Sequence, residues 1–113
     1  MLYNNFNGSP IDALGYQEIA LSDAVQTLAD LAGDIPLGAK RARIQVLDGG
    51  AGYTNSIVRF TQSPSIDPNV SFGQILEDKD YIMLENEGTV NTFRFISAEA
   101  GKAGILAIQF FKG

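Results

Sequence analysis

The chain contains no cysteine, no histidine and no tryptophan. Without cysteine there is no disulfide framework, no thiol nucleophile and no thiolate to hold a metal. Without histidine the commonest general base and the commonest zinc ligand are missing. Without tryptophan, the sugar-stacking surfaces of carbohydrate-binding sandwiches would have to rest on tyrosine or phenylalanine. Long hydrophobic runs are absent too. No apolar stretch approaches the roughly 20 residues a membrane-spanning helix needs. Met1 to Gly8 has neither the basic nor the apolar region of a secretory signal. Basic residues are scarce, 8 against 13 acidic ones, which leaves a net charge of −5. An acidic surface repels phosphate backbones. The expected partners therefore include neither nucleic acid nor membrane.

What is present is strand-forming sequence. Arg41 to Val46, Ile57 to Thr61, Tyr81 to Leu84, Phe93 to Ile96 and Ile105 to Phe111 are β-branched or aromatic-rich runs, separated by polar turns bearing glycine or proline. At 113 residues, 45% of them hydrophobic, the chain has material for one core. The spacing predicts an all-β fold, a single antiparallel β-sandwich of jelly-roll type over residues 14–113, with an N-terminal arm over 1–13 and at most one short helix.

The arm mixes Asn, Gly, Ser and Pro with isolated Leu2, Tyr3 and Phe6. That composition fits a loose terminus and equally fits an arm docking its apolar side chains on a neighbouring subunit. Gly15 to Leu21 reads as a first, weak strand. Over residues 23–32, Leu21, Val25, Leu28 and Ala32 follow helical spacing, with Ser22 as cap and Gly33 as stop. The rival reading is a strand through Ala24 to Leu28. Ile35-Pro36-Leu37-Gly38-Ala39 breaks the pattern, because proline cannot donate to a ladder and glycine permits a tight reversal.

Further on, Asp48-Gly49-Gly50-Ala51-Gly52 reads as a hairpin connection. It is not a phosphate loop, since no Gly-Lys-Ser/Thr follows. Gln62 to Asn69 is an irregular segment with two prolines. Val70, Phe72, Ile75 and Leu76 are expected to return the chain to the core edge. Glu77 to Asp80 and Asn86 to Gly88 read as turns, and the last two strands as a hairpin. Both faces of Tyr81 to Leu84 and of Ile105 to Phe111 are apolar, which requires a cover on the outer side. The arm, the short helix and another subunit are the candidates for it.

No catalytic constellation can be assembled. The serines have no histidine, and none sits in a nucleophile elbow. The acidic residues Glu77, Asp78 and Asp80 flank a lysine and run straight into a strand, which suits a solvated turn and not a calcium loop. Neither enzymatic turnover nor a metal or cofactor is expected. Tyr3, Tyr16, Tyr53 and Tyr81 are scattered, and Tyr53 in the glycine-rich turn is the best single candidate for stacking on a sugar. Lys40-Arg41-Ala42-Arg43 places three cations in four residues. Arg41 and Arg43 share one face of an alternating strand, and that face reads as solvated.

The segment from Ile35 onward resembles a group of small virion proteins of tailed bacteriophages. The resemblance rests on the Ile35-Pro36-Leu37-Gly38-Ala39 turn, the basic-alternating strand Arg41 to Val46, Val58-Arg59-Phe60, the loop Ser63 to Pro68, the return Val70 to Gly73, Phe93-Arg94-Phe95-Ile96 and the terminal Phe110-Phe111. It implies a static capsid decoration or cement protein on the virion's outer capsid surface. Its partners would be the major capsid protein and further copies of itself as a dimer or trimer, with Leu2, Tyr3 and Phe6 as contact residues. A neck, tail or fibre-associated module is the alternative, and a carbohydrate-binding module fits less well.

Overall fold

Ala42, Ile44 and Val46 alternate with Arg41, Arg43 and Gln45, and the three apolar side chains are completely buried. The same period of two runs through Val58 and Phe60, and through Leu106, Ile108 and Phe110, all turned inward. In the computed structural model, which describes residues 13–30, 35–62 and 65–112, these runs are strands of two facing sheets.

The strands are β1 (Ala13–Ala20), β2 (Gln26–Thr27), β3 (Arg41–Leu47), β4 (Val58–Thr61), β5 (Gln74–Leu76), β6 (Tyr81–Leu84), β7 (Arg94–Ser97) and β8 (Ile105–Phe111). One sheet has the order β1-β8-β3-β6 and the other β2-β7-β4-β5. Every pairing is antiparallel. Only β4 and β5, among consecutive strands, share a sheet; all the other connections cross the sandwich. This alternation is the wiring of a jelly roll.

The core between the sheets centres on three rings. Phe93 packs 5.3 Å from Phe60 and 5.6 Å from Phe95, centroid to centroid, in tilted geometry. Leu21, Leu28, Leu84 and Val90 close its margins.

Four local expectations are corrected by this arrangement. The segment 23–32 holds no α-helix in its described part: Gln26–Thr27 pairs with β7, and only a 3-10 turn follows at Leu28–Asp30. Pairing with Phe95 and Arg94 outweighed a helical pattern too short to stand alone. The α-helix among the described residues, α1 (Glu87–Thr92), lies where a turn was read. The Asn86 side chain accepts the Thr89 N–H at 2.9 Å, Glu87 sits in the first turn, and Val90 plugs into the core. The turn after Leu47 is not a hairpin, because β3 and β4 belong to different sheets. For the same reason β7 and β8 are not one: β8 lies between β1 and β3. Facing sheets are about 10 Å apart, a gap that a short loop crosses as easily as it reverses.

The outer side of β8 is covered partly by the chain itself. The Arg41 guanidinium lies 5.2 Å from the Phe111 ring centroid, and Phe111 is buried beneath it. Ile105 packs against the Asp48–Gly52 loop, close enough that a Cβ on Gly49 would sit 3.0 Å from its Cδ1.

Candidate binding surface

The residues of the irregular β4–β5 connection do not return to the core as a group. Leu76 is buried, but Ile66, Val70, Phe72 and Ile75 are each about half exposed (47%, 50%, 51% and 45%). This one segment supplies four of the seven large exposed hydrophobic side chains of the described residues. Scattered exposed apolar residues are ordinary, whereas four on one short segment point to a contact surface.

Polar groups beneath the cluster hold it in shape. Arg59, on the outer face of β4, donates from Nε to the Val70 carbonyl at 3.1 Å and from Nη1 to the Gly73 carbonyl at 2.9 Å. Asn69 and Phe72 exchange backbone hydrogen bonds at 3.0 and 3.1 Å, closing a turn that lifts Phe72 outward. The Asn69 side chain accepts the Ser71 N–H at 2.9 Å. Thr61 donates its hydroxyl to the Ile66 carbonyl, and Asp67 pairs with Arg94. Gly73 has φ +118, and a Cβ there would meet the Phe60 carbonyl oxygen at 3.0 Å. Only glycine lets the segment lie this close to β4. Beside the cluster a groove of about 390 Å³ runs between Phe60, Thr61, Ile66, Phe72 and Gln74. A surface already fixed in one shape loses little conformational freedom on binding.

Tyr53, singled out for stacking, has a different role. Its hydroxyl accepts the Gly104 N–H at 3.0 Å, and lies 2.6 Å from the Ser97 hydroxyl and 3.0 Å from the Lys102 carbonyl. Ser97 is completely buried. Together these groups tie the β3–β4 loop to the β7–β8 loop. Two carboxylates complete the tie. Asp48 accepts the Gly52 and Tyr53 N–H groups at 2.9 and 3.1 Å, and the first of these does most to hold its carboxyl below the usual range. Glu99 accepts the Thr54 hydroxyl at 2.7 Å and the Thr54 N–H at 2.8 Å, and is lowered chiefly by that hydroxyl.

A pH dependence follows. Both carboxyls have folded-state pKa values below their unfolded ones, so their stabilisation is complete at neutral pH and fades as pH falls through the folded values. Below about pH 4, protection factors of the Gly52, Tyr53 and Thr54 amides should fall while those of Ile108 and Phe110 hold. Equal loss at all five would contradict a local origin in these two carboxylates.

The other candidates resolve as follows. Glu77–Asp80 is a closed turn: Asp80 N–H donates to the Glu77 carbonyl at 2.9 Å, and the Asp80 carboxylate accepts the Glu77 N–H at 2.9 Å. Lys40 pairs with Glu87 at 3.4 Å, while Arg41 and Arg43 stand on the outer face of β3. Leu2, Tyr3 and Phe6 lie outside the described residues. The apolar cluster was missed because Val70, Phe72 and Ile75 look like core residues until β5 is seen at a sheet edge. The chain matches no family model, no curated protein and no solved structure.

Proposed function

We propose that this protein works by static binding, as a non-enzymatic decoration (cement) protein on the outer capsid surface of a tailed-bacteriophage virion. The observation that carries the reading is the exposure of Ile66, Val70, Phe72 and Ile75 on one hydrogen-bonded segment, with Ile66 and Phe72 lining a groove. The strand-and-turn resemblance to small virion proteins names the partner, the major capsid protein.

Cementing a shell needs a stiff module with an apolar contact, and no chemistry. Burying four half-exposed side chains supplies about 3–6 kcal/mol, taking half of the usual 1.5–3 kcal/mol for each. Association itself costs at least about 4 kcal/mol. One copy therefore holds weakly, and linked copies gain by effective concentration. Attachment as a homo-oligomer follows from that arithmetic.

The test is cosedimentation with purified capsids. Phe72→Asp places a charge in the centre of the contact and should weaken binding at least tenfold, a loss of about 1.4 kcal/mol or more. Leu37→Asp, on an isolated turn where Leu37 is 99% exposed, should leave it unchanged. Wild-type protein that ignores capsids and copurifies with tails would place it at the neck or tail instead.

A further inference from the structure

The outer face of the β1-β8-β3-β6 sheet carries a second surface, unlike the apolar cluster in chemistry. Two cross-strand rows lie there. Tyr16, Gln109, Arg43 and Met83 face one another across the four strands, and Glu18, Ala107, Gln45 and Tyr81 form the next row. Tyr16 is 55% exposed and Tyr81 57%. They stand on the two edge strands, three strand spacings or about 14 Å apart across the sheet and offset by one row along it. Between them the floor is polar, and a groove of about 320 Å³ opens beside Arg43, Gln45 and Tyr81.

The polar groups of this floor are oriented and partly unspent. Gln109 donates its amide to the Gly15 and Phe110 carbonyls at 2.8 and 3.2 Å, and Gln45 donates to the Lys79 carbonyl at 3.1 Å, which commits both amide nitrogens and leaves the amide oxygens as acceptors. Tyr16 donates to Glu18 at 2.7 Å, which fixes the ring and occupies the one carboxylate in these rows. Arg43 has no hydrogen bond or ion pair among the described residues. Arg41, two residues away on the same face, has a buried Nε without a partner. Of the other acidic groups near this sheet, Asp48, Glu77, Asp78 and Asp80 sit in loops, several of them turned into their own hydrogen bonds, and exposed Glu85 follows β6 on the side of Arg41, one row beyond Arg43. Charges beyond about 8–10 Å are largely screened at physiological salt. A protein of net charge −5 thus presents the Arg43 guanidinium between two exposed aromatic rings, while Arg41 lies over Phe111 beyond them.

We propose that this face binds an acidic oligosaccharide, with Tyr16 and Tyr81 stacked on sugar rings and Arg43 paired with a sugar carboxylate. Flat rings suit the apolar faces of pyranoses, and the amide oxygens suit their hydroxyls. A guanidinium is the cation that grips a carboxylate with two parallel hydrogen bonds. Nucleic acid is a poorer occupant, since the cations are confined to one strand and cannot track a phosphate backbone.

The experiment is titration of the intact protein with tetragalacturonate and with maltotetraose, followed by calorimetry or by amide shifts. Tetragalacturonate should bind, with affinity falling as salt rises, and maltotetraose should bind at least tenfold more weakly. Arg43→Ala should remove at least tenfold in affinity, about the worth of one hydrogen bond to a charged group. Tyr81→Ala should weaken binding severalfold, and both variants should melt at the wild-type temperature. Absence of binding, equal affinity for the neutral sugar, or indifference to both substitutions would each overturn the proposal. So would a dimer in solution that covers this face and separates on Arg43→Ala. Capsid attachment is read in a separate assay through Phe72, so failure of one reading leaves the other standing.

Discussion

Replacing Phe93 by alanine is expected to lower stability by about 3–5 kcal/mol. Phe93 is fully buried and touches both Phe60 and Phe95, so its ring is the piece that fills the middle of the sandwich. It stands at the junction of α1 and β7, donating its N–H to the Thr89 carbonyl at 3.1 Å, and that backbone bond limits how far the site can collapse after truncation. A cavity that cannot close costs its lost contacts as well as its lost transfer energy. Domains of this size are stable by about 5–15 kcal/mol in total, so the variant will stand near its unfolding threshold. Urea denaturation gives the number directly, with Phe72→Ala as comparison. Phe72 is half exposed, and its loss should cost less than about 1.5 kcal/mol. A Phe93→Ala midpoint shift no larger than that of Phe72→Ala would show that the three-ring cluster is not the centre of the core.

Gly104→Ala is expected to cost about 1–3 kcal/mol, toward the upper end of what overpacking produces. The added methyl would lie 2.9 Å from the Leu47 carbonyl oxygen, 2.9 Å from Tyr53 Cε2 and 3.0 Å from Ile57 Cγ2. The first belongs to the backbone of β3 and cannot swing aside. The second belongs to the ring whose hydroxyl accepts the Gly104 N–H, so relief of the clash breaks that hydrogen bond. Tyr53→Phe alone should cost about 1–3 kcal/mol, because the buried Gly104 N–H loses its acceptor. The two changes act on one network, and the double variant should be less destabilised than the sum of the single ones. Strict additivity in thermal or urea unfolding would mean that the ring and the glycine are energetically separate, contrary to their contact.

Strand identity was legible in the sequence because alternation is a local property. Arg41 to Val46, Ile105 to Phe111 and Phe93 to Ile96 carry their inward faces in their own period of two, and the structure buries those faces. The two-sheet jelly roll followed from the number and spacing of such runs. Helix α1 was also local, but Asn86 as cap and Val90 as plug are single residues in a short span, too few to establish a period. Strand partners were not local at all. Whether the turn after Leu47 folds back or crosses the sandwich depends on which surface elsewhere is left to be buried, and no residue in the turn encodes that. Both candidate surfaces share this dependence. Phe72 and Ile75 are exposed because β5 lies at the edge of its sheet, where the β4–β5 connection folds over the outer face and not into the core. Tyr16 and Tyr81, distant in the chain, frame one face because β1 and β6 are the two edges of a single sheet. Periodicity set which way each side chain points; the order of strands alone decided what it points beside.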